Sequence, residues 1–216
     1  MHNKSEKEKL DKLEASGLLS AARFVKKNAR SRKKISADIV YEIHKLIFRK
    51  ARPDIAGVLR DCEFKKLRHL IPPHSTKVPG LILLFGKEFA EKIKTLDSSK
   101  NKAIDEATLS KVVSVATWAS YQISYIHPFH EGNGRTARQI LNLILERYNF
   151  PAISFPVSPK KTKDKYYEAL VQVDKSGNYD KFIRLVNENI SEYYSDLKTK
   201  KLNYLKSKKY HKKIKD

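Results

Sequence analysis

The sequence predicts an all-α single domain, and three features point that way. Apolar residues recur at helical spacing along most of the chain, and only residues 61–71 suggest strands. The 216 residues suffice for one domain with a sizeable core plus ends. A lone cysteine, Cys62, rules out an internal disulfide, and with no second thiol beside it Cys62 reads as structural.

The elements follow in order. Residues 1–34 read as a polar N-terminal extension with a basic run over 26–34. Residues 35–190 read as the domain, and Ser36 is placed to N-cap its first helix, around residues 39–48. Residues 61–71 (DCEFKKLRHLI) mix apolar and basic side chains between two expected helices. Residues 109–126 carry Val112, Val115, Ala116, Ala119, Ile123 and Ile126 on one helical face. Pro128 biases the residue before it away from helical geometry, so that helix should end near His127. Ile140, Leu141, Ile144 and Leu145 mark a second stripe over 135–147. Three prolines within 151–164 mark a loop ahead of a helix carrying Tyr166. Residues 191–216 form a lysine-rich tail; nine lysines over 198–216 make it a solvated segment or a basic terminal helix.

The chemistry concentrates in residues 127–138 (HPFHEGNGRTAR). Their order is helix, glycine-flanked turn, helix. A turn that ends at a helix N-terminus points free backbone N–H groups and a partial positive charge at one spot, which favours phosphate. Gly132 and Gly134 let the backbone approach a ligand closely. Arg135 and Arg138, three residues apart, are expected to face one pocket and to fork onto phosphate oxygens. Glu131 repels phosphate unless a divalent cation such as Mg²⁺ lies between them. His127 supplies a residue type that accepts protons near neutrality. The pattern reads as a Mg-nucleotide site beside a base. Taken singly, each piece has a plainer meaning. His127 at a helix end suits a structural hydrogen bond, and the two arginines suit a solvated helix face. Phe129 reads as a core anchor and His130 has no assigned role. No further histidine or cysteine accompanies His127 and His130 to make a metal pair.

The same residues resemble the Fic family signature, His-x-Phe-x-Asp/Glu-Gly-Asn-Gly-Arg-x-x-Arg, and match every fixed position: His127, Phe129, Glu131, Gly132, Asn133, Gly134, Arg135 and Arg138. The likeness extends outward over roughly 35–190. Residues 39–48 resemble the family's early core helix, 56–60 and 71–73 the surroundings of its target-binding flap, and 165–170 with 182–183 the helices after the motif. The resemblance implies a single Fic-type helical core with a short β-hairpin flap over 61–71, which pairs with an extended target segment. It implies AMP transfer from ATP to a Ser, Thr or Tyr hydroxyl of a target protein, with pyrophosphate released. Carried over, His127 is the base and Glu131 holds Mg²⁺. Gly132, Asn133 and Gly134 form an anion cradle, and Arg135 and Arg138 hold the β- and γ-phosphates. Tyr166 and Tyr167 are candidates to border adenine by stacking, or one belongs to the core and the other to its edge. Where the family often has an asparagine a couple of turns later, this chain has Asp174. Relatives with lysine in place of the second glycine transfer phosphate instead; Gly134 favours AMP transfer, although another nucleotide stays open.

Many family members carry an inhibitory helix with Ser or Thr four residues before a glutamate that pairs with the second motif arginine. No glutamate here has that neighbour. The expectation is that nothing within this pattern competes for Arg138; an antitoxin-like protein that supplies the glutamate in trans is favoured over a chain without this control or with a divergent helix.

The start of the chain lacks an apolar secretory core, and no apolar run reaches membrane-spanning length. The expected setting is cytoplasmic with no membrane partner, and secretion into a host cell is compatible with it. The net charge of +21 supports a rival reading. A basic tail with Tyr204 and Tyr210 suits weak nucleic-acid contact, in a regulator whose Fic core is incidental. Against that rival, both His127 and Arg138 are intact.

Overall fold

Among the described residues, seven α-helices account for most of the structure: α1 (Lys4–Arg30), α2 (Asp38–Phe48), α3 (Val78–Asp97), α4 (Glu106–Ile126), α5 (Asn133–Arg147), α6 (Lys160–Ser176) and α7 (Asp180–Lys213), with a short 3₁₀ turn at Ser75–Lys77. The computed structural model describes residues 4–31, 35–64, 71–98, 106–155 and 160–213, without the side chains of 4, 160–164 and 202–213. Among the described residues there is no strand, only an isolated antiparallel bridge between Leu59 and Phe129. The hairpin expected over 61–71 is therefore not seen in its described part, and residues 65–70 lie outside it.

The centre is α5. Ile140, Leu141, Leu143, Ile144 and Leu145 are all fully buried, so the middle of the helix is enclosed on most sides. It packs on α4, α1 and α2. Each such side chain contributes roughly 1.5–3 kcal/mol when fully buried. The sequence stripe finds four of the five; Leu143 lies off it and is covered because neighbours flank α5 on several sides.

Polar composition disguises α1. Its buried residues are Gly17, Ala21, Val25 and Ala29, a narrow stripe four residues apart. At Gly17 an ideal Cβ would lie 2.0 Å from the Ile47 carbonyl oxygen, so only glycine lets α1 lie this close to α2. Helix α2 starts at Asp38, later than the expected cap at Ser36 allows. The residue before the helix is Ala37, with no side-chain cap, and the Ser36 hydroxyl donates to Asp38 Oδ2 at 2.9 Å.

At the far end of α5, the buried Arg147 guanidinium donates to Asp97 at 2.8 Å and to the Ser31 carbonyl at 3.1 Å. The ends of α1, α3 and α5 are thereby joined. Helices α6 and α7 pack together, and α7 also packs on α4. Burial on α7 includes Phe182, Leu185, Val186 and Ile190; every side chain from 191 to 201 is exposed, while the helix continues to Lys213. No helix among the described residues is long and apolar enough to cross a membrane.

Candidate active site at the start of α5

The site begins where α4 stops. Pro128 cannot continue the helix, and His127 takes a left-handed φ of 49° while its N–H still donates to the Ile123 carbonyl at 3.1 Å. His127 Nδ1 lies 3.3 Å from the Ser124 carbonyl oxygen. A carbonyl only accepts, so this contact places the ring proton on Nδ1 and the lone pair on Nε2. The Phe64 ring stands edge-on to His127 at 5.2 Å.

The loop that follows is built from its own side chains. Phe129 is fully buried and stacks on His44, with centroids 3.7 Å apart and planes 11° apart. Asn133 closes the loop from inside: its Oδ1 accepts from the Phe129 N–H at 2.9 Å and its Nδ2 donates to the Phe129 carbonyl at 2.8 Å. Gly132 has φ 74°, and an ideal Cβ there would lie 2.2 Å from Phe48 Cε2. Both conditions select glycine. The Thr136 N–H makes the first helical bond, to the Gly132 carbonyl at 2.9 Å. The N–H groups of Asn133, Gly134 and Arg135 precede that ladder and carry the positive end of α5.

His44 supports the loop from α2. The Gly57 N–H donates to its Nδ1 at 2.9 Å, so its Nε2–H donates to the Glu131 carbonyl, also at 2.9 Å. Burial pushes its pKa down to about 4, and the charges of Arg135 and His130 add to that against the Glu131 hydrogen bond.

The charged groups form a chain across the mouth. The Glu131 carboxylate lies 3.1 Å from Arg135 and 3.6 Å from Arg52. Arg135 also meets the Glu14 carboxylate of α1 in direct contact, with its guanidinium carbon 4.6 Å from the Phe48 ring centroid. Arg138 turns toward α6, its guanidinium carbon 5.9 Å from the Tyr166 ring centroid. Tyr166 itself is buried against Phe155 and Phe182, and Tyr167 is half-buried with its ring centroid 5.8 Å from that of Tyr166. Asp174 accepts the Tyr121 hydroxyl; burial and this carboxylate together raise the Tyr121 pKa.

Sequence reasoning missed several contributors. Arg60 is buried and donates from Nε to the His127 carbonyl at 2.7 Å, while its N–H bonds the Pro128 carbonyl at 2.9 Å. It also reaches the carbonyls of Cys62 and Pro73, so one guanidinium gathers both ends of the flap region and the motif. Glu14 lies four residues after Leu10, so a Ser/Thr pattern does not find it. His44 had a signal: it shares an apolar face with Val40, Ile43 and Ile47. Cys62, read from sequence as structural, is exposed, with Sγ 3.5 Å from His130 Nδ1.

With this geometry in place, the likeness to known proteins is informative. The chain is 32% identical over 201 residues to protein adenylyltransferase fic-1 of Caenorhabditis elegans, covering 90% of this chain and 36% of the worm protein. The Caenorhabditis briggsae protein of the same name is 29% identical over 198 residues, covering 89% and 36%. The chain thus spans about a third of the length of these curated relatives. The solved structure of C. elegans Fic-1 residues 134–508 superposes with a TM-score of 0.65 at 30% identity, covering 87% of this chain and 52% of that one. The Fic/DOC family profile matches residues 34–145, more than half of the sequence and the whole of the loop and helix start that carry His127 to Arg138, and the chain belongs to that family.

Proposed function

We propose that this protein transfers AMP from ATP to a Ser, Thr or Tyr hydroxyl of a target protein and releases pyrophosphate. The observation that carries the reading is the intact motif folded onto one turn: His127 just past the end of α4, Glu131 at the mouth and the positive end of α5 directly after it in sequence. The relatives' names, protein adenylyltransferase, support it.

In this reading the target hydroxyl gives its proton to His127 Nε2 as its oxygen bonds the α-phosphorus. The bond from that phosphorus to the bridging oxygen breaks, and pyrophosphate leaves. The N–H groups of Asn133, Gly134 and Arg135 face developing phosphate charge without reorganising. Arg135 and Arg138 orient the β- and γ-phosphates. The buried Asn133 side chain acts on the loop rather than on the nucleotide. Glu131 suits Mg²⁺, because its half-exposed carboxylate is an oxygen ligand beside two arginines, where a bound triphosphate would bring further oxygens. Such an ion supplies charge neutralisation across the phosphates. Tyr166 supports Arg138 from beneath, and Tyr167 borders the base.

Glu14 gives this reading a built-in brake: its contact with Arg135 occupies a guanidinium assigned to phosphate. Regulation is then in cis, and the antitoxin-like inhibitor in trans becomes the alternative.

The test uses ATP labelled at the α-phosphate and, separately, at the γ-phosphate, with Mg²⁺, cell lysate and the His127→Ala protein as control. Protein-bound α-label that requires His127, without γ-label, is the expected result. Label from the γ-position alone overturns AMP transfer in favour of phosphate transfer.

A further inference from the structure

Outside the catalytic residues, three side chains of metal-ligating type meet where the flap region leaves the motif. Cys62 Sγ lies 3.5 Å from His130 Nδ1, and Asp61 Oδ1 lies 3.3 Å from His130 Nε2. One ligand atom from each of the three lies within 4.8 Å of the others. In sequence Asp61 and Cys62 are adjacent, and His130 lies 68 positions after Cys62, within the motif. We propose that Asp61, Cys62 and His130 form a binding site for a thiolate-preferring divalent cation, Zn²⁺ foremost, with a fourth position left to water.

The spacing suits that ion. Zn–S of about 2.3 Å and Zn–N of about 2.0 Å at a tetrahedral angle put sulfur and nitrogen about 3.5 Å apart. The separation of Cys62 Sγ and His130 Nδ1 is already 3.5 Å. The Asp61 carboxylate rests against the other ring nitrogen, Nε2; with its side chain 92% exposed, it has room to leave that contact and turn to the Nδ1 side as the third ligand. A mixed sulfur, nitrogen and oxygen set selects zinc-like metals over Mg²⁺, which takes oxygen alone. The site is therefore chemically distinct from Glu131, whose carboxylate engages Arg52 and Arg135.

The scaffold under these ligands is rigid. Leu59 and Phe129 form the antiparallel bridge, and the Arg60 N–H donates to the Pro128 carbonyl at 2.9 Å. The buried Arg60 guanidinium donates both to the Cys62 carbonyl at 2.8 Å and to the His127 carbonyl at 2.7 Å. Asp61 and Cys62 are thus held beside the motif loop by backbone bonds on the residues flanking them, which lowers the ordering cost of chelation. A cation here pins the first residues of the flap region to the loop that carries Glu131.

The test is a Co²⁺ titration of the reduced, tag-free full chain followed by absorbance, then displacement by Zn²⁺. Cys62 is the sole cysteine, so a thiolate-to-cobalt band in the near ultraviolet reports that side chain alone. The expected result is saturation at one equivalent per chain with the intense visible bands of a tetrahedral ion. Cys62→Ser should abolish the ultraviolet band, and His130→Ala and Asp61→Asn should each weaken binding at least ~10-fold, with circular dichroism confirming the fold. Absence of the thiolate band, half an equivalent shared between two chains, or an affinity untouched by any one of the three substitutions overturns the site. The 3.5 Å contact is then an S–H···N hydrogen bond and nothing more.

Discussion

His44 Nε2–H donates to the main-chain carbonyl of Glu131 at 2.9 Å, across 87 positions of sequence. The ring is fully buried, accepts the Gly57 N–H on its other nitrogen and stacks on Phe129. A neutral imidazole of fixed tautomer thus sets the height of the residue whose carboxylate faces the site. Protonation would remove the acceptor that Gly57 needs and place a charge in the core.

A pH dependence of stability follows. The His44 pKa falls from 6.5 to about 4 on folding, chiefly through burial. The unfolded chain therefore binds this proton more readily than the folded one. The stabilisation is complete above about pH 6.5 and is lost as pH falls toward 4, by up to ~1.4 kcal/mol per pH unit. His44→Phe keeps a ring against Phe129 but leaves the Gly57 N–H and the Glu131 carbonyl without this partner, at a cost of about 2–4 kcal/mol. Thermal melts of both proteins between pH 4 and 7 read the difference, since the carboxylates common to both cancel. An equal acid slope in the two proteins removes His44 as its source.

His127→Ala should reduce AMP transfer by about 10²–10⁴-fold or more, the usual contribution of a positioned general base. The melting temperature should hold, because the His127 side chain is only partly buried and its backbone carbonyl, not its ring, receives Arg60. ATP binding measured by calorimetry should hold as well. Wild-type transfer rates in this variant would remove His127 from the mechanism.

The legibility of this chain in its sequence was uneven for physical reasons. Helices α4 and α5 were readable because periodic apolar residues and Pro128 leave local marks, and so was the burial of Phe129. Helix α1 was hidden because its contact face is made of small residues, Gly17, Ala21 and Ala29, which stand out little beside charged neighbours. Arg60 and Glu14 could not be found at all, since a charge that pairs across the fold looks like any solvated charge in one dimension. Ser36 misled because its hydroxyl bonds the Asp38 side chain rather than a helix N–H.

Asn133 tests whether the loop must be closed to work. Asn133→Ala removes two hydrogen bonds to the Phe129 backbone in a buried setting, which should cost about 2–4 kcal/mol. Transfer should fall well before unfolding sets in, because the N–H groups at the start of α5 lose their fixed aim. Asn133→Asp retains one acceptor for the Phe129 N–H and should fall between the two proteins. Denaturant unfolding and labelled-ATP transfer on the three proteins check the order. Identical transfer by the folded alanine variant would show that loop closure matters for stability alone.

Glu14 offers the sharpest separation of the two modes of control. Its carboxylate and the Arg135 guanidinium are each about one-fifth exposed, so the pair is partly shielded from water. A charge-assisted bond in such a place is worth about 1.5–3 kcal/mol, and Arg135 must give it up before turning to phosphate. Glu14→Gln keeps the shape of α1 and removes the charge. It should raise ATP affinity and AMP transfer about tenfold, the equivalent of ~1.4 kcal/mol, with part of the gain withheld because Glu131 still pairs with Arg135. Gly17→Ala, which drives a Cβ into the Ile47 carbonyl, should displace α1 and give the same activation with a lower melting temperature. Activation in both variants assigns the brake to α1. An unchanged rate in Glu14→Gln, with α1 still docked by circular dichroism and melting, makes the contact structural and transfers the search for an inhibitor to a separate protein.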